Sequence, residues 1–529
     1  MSESPVPANP PRLFRGLKIV SAMTLLSRVL GLIRDIAMAK QFGIGPVMDA
    51  FTVAFRVPNL ARKLFGEGAL ATAFMPVLVR ECSREDRSDA WRLSSAVFVW
   101  LTLFLSVVVL ILELLLWGWG VWFDVTPETR LLLVLTGAML PYLVLVCLAC
   151  QISAVLNALG HFTWPAIVPV VLNAIWIAGV WIIVPWFTTQ ESQALVEAWC
   201  IVFAGVVQIL VQLPTLHRLG YRFTWDFKPV RAQTWEILRT MAPVIVGLSI
   251  TQINTFTDSM IALGFSAPEG VEHSWHPIRA GAVSALYFGE RLYQFPLGIF
   301  GVALGTVIFP LLSRHAAEGN TLRLREDLEL GMRLVIVIGL PASVGLMVLA
   351  HPLARCLFEH GRFDAEDALR TAWVIATYGC GVWAYCGIQI LQRGFYALGD
   401  RSTPLRIGMI VVGINFAFNL TLIWPFAELG LALSTAFCAA LQVGALIAGL
   451  EAKLGRWNWR ILGLTTLKTS LACGVMALAA WGGMRWFPTS GKFMGLVIPF
   501  ALACAAFALA GWSLRLEELW LLLRRERAH

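Results

Sequence analysis

The chain has 529 residues, 58% hydrophobic and 14% charged, with a formal net charge of +8 and a mean hydropathy of +0.72. A soluble domain of this size would carry nearly twice that charge, and the excess of cations points to basic loops that orient a membrane protein rather than to nucleic acid. Apolar runs of about 20 residues recur along the chain, each long enough to cross ~30 Å of hydrocarbon. They are continuous rather than alternating, which excludes a β-barrel and predicts an all-α, polytopic membrane protein.

In chain order, residues 1–16, MSESPVPANPPRLFRG, read as a polar cytoplasmic tail with no signal-peptide pattern. About fourteen transmembrane helices follow. They lie near 17–39, 47–78, 94–122, 131–157, 165–187, 195–215, 237–263, 280–312, 331–354, 369–397, 404–425, 430–450, 463–485 and 493–513. The second and eighth are long, and Pro58 and Pro296 mark places where they would bend. The tail 514–529, with its RLEELWLLLRRERAH stretch, is basic and amphipathic and is expected on the inner membrane surface.

The connections alternate in charge. One set holds Arg80, Arg84, Arg87 and Arg92; Arg218, Arg222, Lys228 and Arg231; Arg314, Arg323 and Arg325; Lys453, Arg456 and Arg460. The other reads DVTPET, TTQESQ and SAPEGVEHSWHP. Cations mark the cytoplasmic side, which places both termini there. Trp117, Trp119, Trp122, Trp186, Trp424 and Trp486 sit near span ends, as interfacial anchors do.

The chain repeats itself. ALATAFMP at 69–76 matches ALGTVIFP at 303–310, and ALGHFTWP at 158–165 matches ALGDRSTP at 397–404. The offsets are 234 (69 to 303) and 239 (158 to 397), nearly equal. This predicts two related lobes of six helices each. The first occupies 17–220, a cytoplasmic linker 221–236, and the second 237–455; two additional helices fill 456–513. Six is even, so the lobes are parallel repeats about an axis along the membrane normal, an organisation suited to a transporter.

Charges within the spans are the candidate site, because a charge at mid-bilayer costs about 2.5–3.5 kcal/mol on insertion scales. Arg28 and Asp35 are seven apart and share a helix face, as do Ser27 and Arg34. Asp49, Arg56, Lys63 and Glu67 form one stripe of the second span, with Asn59 and Arg62 beside it, and Glu290, Arg291 and Gln294 lie in the eighth. Two readings stand: the charges pair with one another and fix helix packing, or the surplus of cations awaits an anionic guest, for which arginine forks suit phosphate oxygens. A second polar set, Thr251, Asn254, Asp258, Asn415, Asn419 and Thr435, offers hard oxygens and no cation. It suits Na⁺ or interhelical hydrogen bonding.

No GxxxxGK[ST] loop is present, and no clustered acid/base or metal set supports an enzyme. The ten cysteines show no metal or disulfide spacing; Cys147, Cys150, Cys200, Cys473 and Cys504 lie in apolar runs as small hydrophobes. A non-transporting scaffold of the cell-wall machinery is a third class.

SRVLGLIRD, MDAFTVAFRVPNLARKLFGEGALATAFMP, ERLYQFPLGIFGVALGTVIFPLLS and FYALGDRSTPLRIG resemble the MurJ/MviN group of bacterial lipid II flippases, from about residue 13 to past 510. The resemblance implies the fold of the multidrug/oligosaccharidyl-lipid/polysaccharide exporter superfamily: two six-helix lobes, with two C-terminal helices forming a groove for a lipid tail. It implies a protein, not an enzyme, that moves the undecaprenyl-pyrophosphate-linked peptidoglycan precursor across the bacterial cytoplasmic membrane by alternating access. It further implies Arg28, Arg34 and Arg291 as cavity arginines and Asp49, Arg62, Lys63 and Glu67 as the second-helix polar set, with Lys63 where relatives often carry Arg. A sodium site falls on Asp258, Asn415, Asn419 and Thr435, and Asn419 stands where some members have Asp. The expected partners are lipid II and the phospholipid bilayer, with other cell-wall synthesis proteins as candidates and no nucleic acid. The expected state is a monomer without cofactor, with Na⁺ the candidate coupling ion. The alternatives are a flippase for an O-antigen-type lipid-linked oligosaccharide or a cation-coupled drug exporter.

Overall fold

The computed structural model describes residues 10–84, 86–268, 275–487 and 491–519. Parts of the expected tails, 1–9 and 520–529, and residues 269–274 of the outer loop lie outside the described residues, as do the side chains of Glu67 and Thr251. The described chain is helical, its one β feature being an isolated bridge between Ser266 and Ile278.

Two compact units divide the chain, residues 1–256 and 257–529. The first unit opens with α1 (Pro10–Phe42), which starts before the expected edge at 17 because a proline pair is compatible with a helix's first turn. The second expected span is α2 (Pro46–Ala61), a π-helical stretch (Arg62–Ala69) and α3 (Leu70–Cys82). Next come α4 (Ser88–Trp122), α5 (Pro127–Ala158) and α6 (Thr163–Ala178), the last running into a π turn (Gly179–Ile183) and a 3₁₀ turn (Val184–Trp186). The unit continues with α7 (Gln190–Leu210), α8 (Leu213–Arg218) and the start of α9 (Arg231–Gly264), the helix in which the two units meet in sequence.

In the second unit α10 (Ala282–Pro296), a π turn (Leu297–Gly301) and α11 (Val302–Ala317) make the eighth expected span. They are followed by α12 (Thr321–Val348), α13 (Ala350–Leu357), α14 (Ala365–Gly379) and α15 (Val382–Ala397). The unit ends with α16 (Ser402–Phe426), α17 (Glu428–Leu454), α18 (Trp459–Trp486) and α19 (Lys492–Ser513). Eleven described helical segments are long and apolar enough to cross a membrane. The other three expected spans coincide with α1, the α2–α3 rod and α9, which lie outside that count.

Caps define where helices start. Thr126, Thr189, Asn320, Asp364 and Asn458 each accept a hydrogen bond from a backbone N–H in the first turn of the helix that follows, which satisfies a donor the helix itself cannot. The outer faces are apolar: Leu110, Leu115, Val307 and Leu478 are exposed, and Trp117, Trp119, Trp122, Trp186, Trp424 and Trp486 are all more than half exposed. In water such surfaces would associate; against lipid they are the correct exterior. Each unit also has its own core. Phe74, Leu78, Leu93, Ala96, Val155 and Leu156 centre the first, and Leu328, Val335, Ile390, Phe395, Leu446 and Leu450 the second.

Candidate functional site

In the first unit the site is built on α1 and α6. Arg34 is 6% exposed and Asp35 2%. Arg34 Nε and Nη2 both donate to Asp35 Oδ1, at 3.1 and 2.8 Å, and Nη1 donates to Asn173 Oδ1 at 3.1 Å. The guanidinium carbon lies 4.4 Å from the centre of the Trp176 ring. Asn173 Nδ2 in turn donates to the Ser27 carbonyl at 3.0 Å, so one amide on α6 reads both Ser27 and Arg34, seven residues apart on α1.

Arg34 is therefore compensated by its neighbour and is not itself a surplus cation. The reason is burial: Asp35 sits where an ionised carboxylate needs a close donor, and Arg34, held flat by Trp176 and Asn173, supplies two. Arg28, expected to share a face with Asp35, is exposed and forms no ion pair with any described residue. The structure thus divides the two arginines: Arg34 is fixed and charge-balanced, Arg28 is open.

Along the α2–α3 rod the stripe does not form one network. Asp49 is buried. Arg56 Nη1 donates to the Thr255 carbonyl at 2.8 Å, tying α2 to α9 within the first unit. Arg62 forks onto Asn59 Oδ1 through Nε and Nη2, at 3.2 and 2.8 Å, one turn back on its own helix. Lys63 is exposed, and the Glu67 side chain lies outside the described residues.

In the second unit Arg291 Nη2 donates to the Tyr287 hydroxyl at 3.1 Å and Nη1 to Gln294 Oε1 at 3.4 Å, with the guanidinium carbon 4.8 Å from the Tyr287 ring centre. Gln294 Nε2 donates to Glu290 Oε1 at 2.8 Å. The amide thus links the two charges of the GERLYQ segment. On α9 and α16, Asn419 Nδ2 donates to Asp258 Oδ1 at 2.6 Å and to Asn415 Oδ1 at 3.2 Å. Asn415 Nδ2 donates to Ser434 Oγ at 2.9 Å, whereas Thr435 Oγ1 bonds back to Leu431 of its own helix at 3.0 Å.

Of the expected sodium ligands, Asp258, Asn415 and Asn419 come together; Ser434, not Thr435, joins their hydrogen bonds. Asn419 Oδ1 is left buried without a partner among the described residues. The amide nitrogen faces both oxygens and serves them as a cation would. The donor set fits a hard cation only if the amide turns its oxygen inward, an assignment that rests on the hydrogen-bond network.

Asn173, Trp176, Tyr287 and Ser434 escaped the sequence reading. Asn173 had a signal, being the only amide in the apolar run PAIVPVVLNAIWIAG; the others look like ordinary span residues.

A helical membrane protein with membrane-length apolar helices and guanidiniums positioned by neighbouring helices belongs to the class of polytopic transporters. The fold agrees. A solved structure of lipid II flippase MurJ in an inward closed conformation matches at TM-score 0.75 and 23% identity, over 93% of this chain and 97% of that one. An inward-facing multidrug resistance MATE family transporter of the MOP superfamily matches at TM-score 0.64 and 13% identity, over 80% and 95%. The family model for lipid II flippase MurJ matches residues 38–500. A probable lipid II flippase MurJ of Vibrio cholerae is 34% identical over 454 residues, 83% of each chain. Lipid II flippase MurJ of Burkholderia cenocepacia is 34% identical over 454 residues, 83% of this chain and 84% of its own. The chain belongs to the MurJ family of lipid II flippases.

Proposed function

We propose that the protein moves lipid II, the undecaprenyl-pyrophosphate-linked disaccharide-pentapeptide, from the inner to the outer leaflet of the bacterial cytoplasmic membrane for cell-wall synthesis. The observation that carries this is the family match over residues 38–500. No chemical step is involved. Alternating access does the work: the diphosphate is taken up by Arg28, Arg34 and Arg291, the sugar and peptide by the polar positions Asp49, Arg56, Arg62, Lys63 and Glu67, with Asp35 and Glu290 setting the arginines, while the prenyl tail stays in lipid beside α18 and α19. Arg28 is the first contact, since it is exposed and forms no ion pair with a described residue, and a diphosphate offers it a counter-charge. Arg34 is the pre-oriented second contact, its plane fixed before the guest arrives.

Both termini lie in the cytoplasm, a reading supported by the basic residues of alternate connections, and the protein acts as a monomer. A Na⁺ bound at Asp258, Asn415 and the reversed Asn419 amide is the candidate coupling ion. An O-antigen-type cargo or a drug is less favoured, because the relatives matched over most of both chains are lipid II flippases and the drug-transporter likeness is confined to the fold.

Complementation of a bacterium depleted of its lipid II flippase tests the reading. The wild-type chain restores growth, and Arg28→Ala, Arg34→Ala and Arg291→Ala each lose it while remaining in the membrane at normal levels. Growth restored equally by all three variants would overturn the proposal.

A further inference from the structure

One buried ionisable group has no part in this scheme. Glu197, on α7, is 0% exposed, and neither carboxyl oxygen has a hydrogen-bond partner among the described residues. The carboxyl lies against Gly179, the first residue of a π turn: a Cβ there would sit 2.5 Å from Glu197 Oε2 and 3.1 Å from Cys200 Sγ. Glycine is what makes room for the acid. Gly179 follows Trp176, whose ring carries the Arg34 guanidinium, by three residues, about one helical turn.

The elements packed against α7 bring Asp49 and Arg56 from α2, Tyr142, Cys147 and Cys150 from α5, and His217 and Arg218 from α8; α1, tied to α7 by the Gln41–Gln193 hydrogen bond, brings Arg34, Asp35 and Lys40; α7 itself carries Glu191 and Cys200, and α6 and the turns after it contribute no titratable side chain. Arg34 approaches this carboxyl from α1: its guanidinium lies over Trp176, about one turn before the Gly179 against which the Glu197 carboxyl sits. A carboxyl kept only for packing would be paired or hydrogen-bonded, as buried charged groups almost always are. Sealed from water with no donor, it has two states open to it: a neutral acid, or an anion balanced through space by a nearby cation.

We propose that Glu197 is a proton-binding site of the first unit, linked through Arg34 to the binding of a diphosphate; the link, though not the site, rests on the reading of Arg34 given above. A diphosphate that claims the Arg34 charge removes the field that favours the Glu197 anion, and a proton from water then adds to a carboxyl oxygen in its place. No other bond is made or broken. Linkage is reciprocal, so the proton on Glu197 strengthens diphosphate binding by the same factor with which the diphosphate strengthens proton binding.

The test uses the full-length protein in lipid nanodiscs and undecaprenyl diphosphate as the probe. With the diphosphate bound, the infrared spectrum of the wild type shows the carbonyl stretch of a protonated carboxylic acid, which Glu197→Gln removes and Glu197→Asp keeps at a shifted position. A band unchanged in Glu197→Gln overturns the site. Proton uptake on binding is then read by calorimetry in buffers of different ionisation heat. The wild type takes up more protons than Glu197→Gln, by at most one, and its affinity falls with rising pH more steeply than the variant's, by at most tenfold per pH unit; the titration of the diphosphate itself is common to both. Equal uptake overturns the link. If Arg34→Ala binds the probe as tightly as wild type while the infrared band behaves as expected, the diphosphate reading of Arg34 fails together with the link, and the proton site stands.

Discussion

Arg34 shows how far a residue can be read from its chain neighbours and where that stops. Its polarity in an apolar run marked it as functional, but helix geometry assigned Asp35 to Arg28, seven residues away. The structure gives Asp35 to Arg34 because α6 decides the matter: Asn173 and Trp176 lay the guanidinium beside the carboxylate, and spacing on α1 cannot reveal what a neighbouring helix contributes. Asp400 is the opposite case, where local sequence contains the whole explanation. In GDRSTP its carboxylate accepts from the Thr403 hydroxyl at 2.6 Å, from the Thr403 and Ser402 amides at 3.0 and 3.1 Å and from the Ser402 hydroxyl at 2.9 Å, and it pairs with Lys453 at 3.1 Å. From the position before the N-cap Arg401, Asp400 thus caps the amides of the first two residues of α16. The matching copy ALGHFTWP has His161 in that place, which offers no carboxylate for the same bonds. The Thr403 bonds above all, with Lys453, hold the Asp400 carboxyl well below the usual carboxylate range. A lowered value stabilises the fold above the ordinary carboxylate pKa of about 3.9 and loses that contribution as pH falls toward the folded value. Asp400→Asn should therefore lower the thermal midpoint in detergent by the same amount from about pH 7 to pH 5, and the gap to wild type should close below about pH 4. A gap that already narrows near neutrality would show that the charge is not what the cap uses.

At the scale of elements, the repeat read from ALATAFMP and ALGTVIFP reappears as a shared irregularity. One motif begins on the last residue of a π-helical stretch, Arg62–Ala69, and the other two residues after the end of one, Leu297–Gly301. Prolines lie close upstream, Pro58 within α2 and Pro296 at the end of α10, and a proline that withholds its N–H disturbs the i→i−4 ladder from which such turns arise. Each stretch also meets a cysteine: Cys147 Sγ donates to the Ala61 carbonyl at 3.7 Å, and Cys386 Sγ lies where a Cβ on Gly301 would come within 3.1 Å. These two cysteines are 239 residues apart (147 to 386), the offset of the second repeat pair. Cys147 was read as a small hydrophobe; it also bonds a carbonyl that the irregular helix leaves available, a common remedy inside membranes. The prolines signalled distortion, but RKLFGEGA and LGIFG share too little to identify a π turn, whose form depends on the helix packed against it. Packing there leaves no room. A Cβ on Gly301 would also meet Leu297 Cδ1 at 3.0 Å and the Cys386 Cα at 3.2 Å. Gly301→Ala should cost about 1–3 kcal/mol by overpacking, seen as a lower thermal midpoint, and adding Cys386→Ala should recover part of it. Gly413→Ala on α16, where nothing lies within 4 Å, should be neutral or slightly stabilising, since alanine favours a helix interior. Equal effects at both glycines would refute the packing account.

For the whole molecule, what the sequence made plain was the solvent. Long apolar runs, tryptophans at their ends and alternating charge in the connections follow from the bilayer, which acts on every span alike, and the exposed apolar exteriors agree with them. The charge alternation also makes a claim about orientation. The basic connections of the first unit are tied into ion pairs: Arg80 with Glu236 at 3.1 Å, Arg92 with Asp89 at 3.1 Å and with Asp226 at 3.6 Å. These cations are thus partly neutralised in the folded state. Orientation is set by Lys and Arg counted near the span ends during insertion, with Asp and Glu contributing little, so the pairing does not weaken the expectation of a cytoplasmic location. Cysteines placed singly at Asp124 and Thr188, exposed beyond α4 and α6, should react in intact cells with a membrane-impermeant maleimide, in a background where the exposed Cys380 and Cys504 are alanine. Cysteines at Ser83 and Arg222, exposed on the basic connections, should react only after the cells are opened. The reverse pattern would invert the whole molecule in the membrane, and with it the direction in which the cargo is carried.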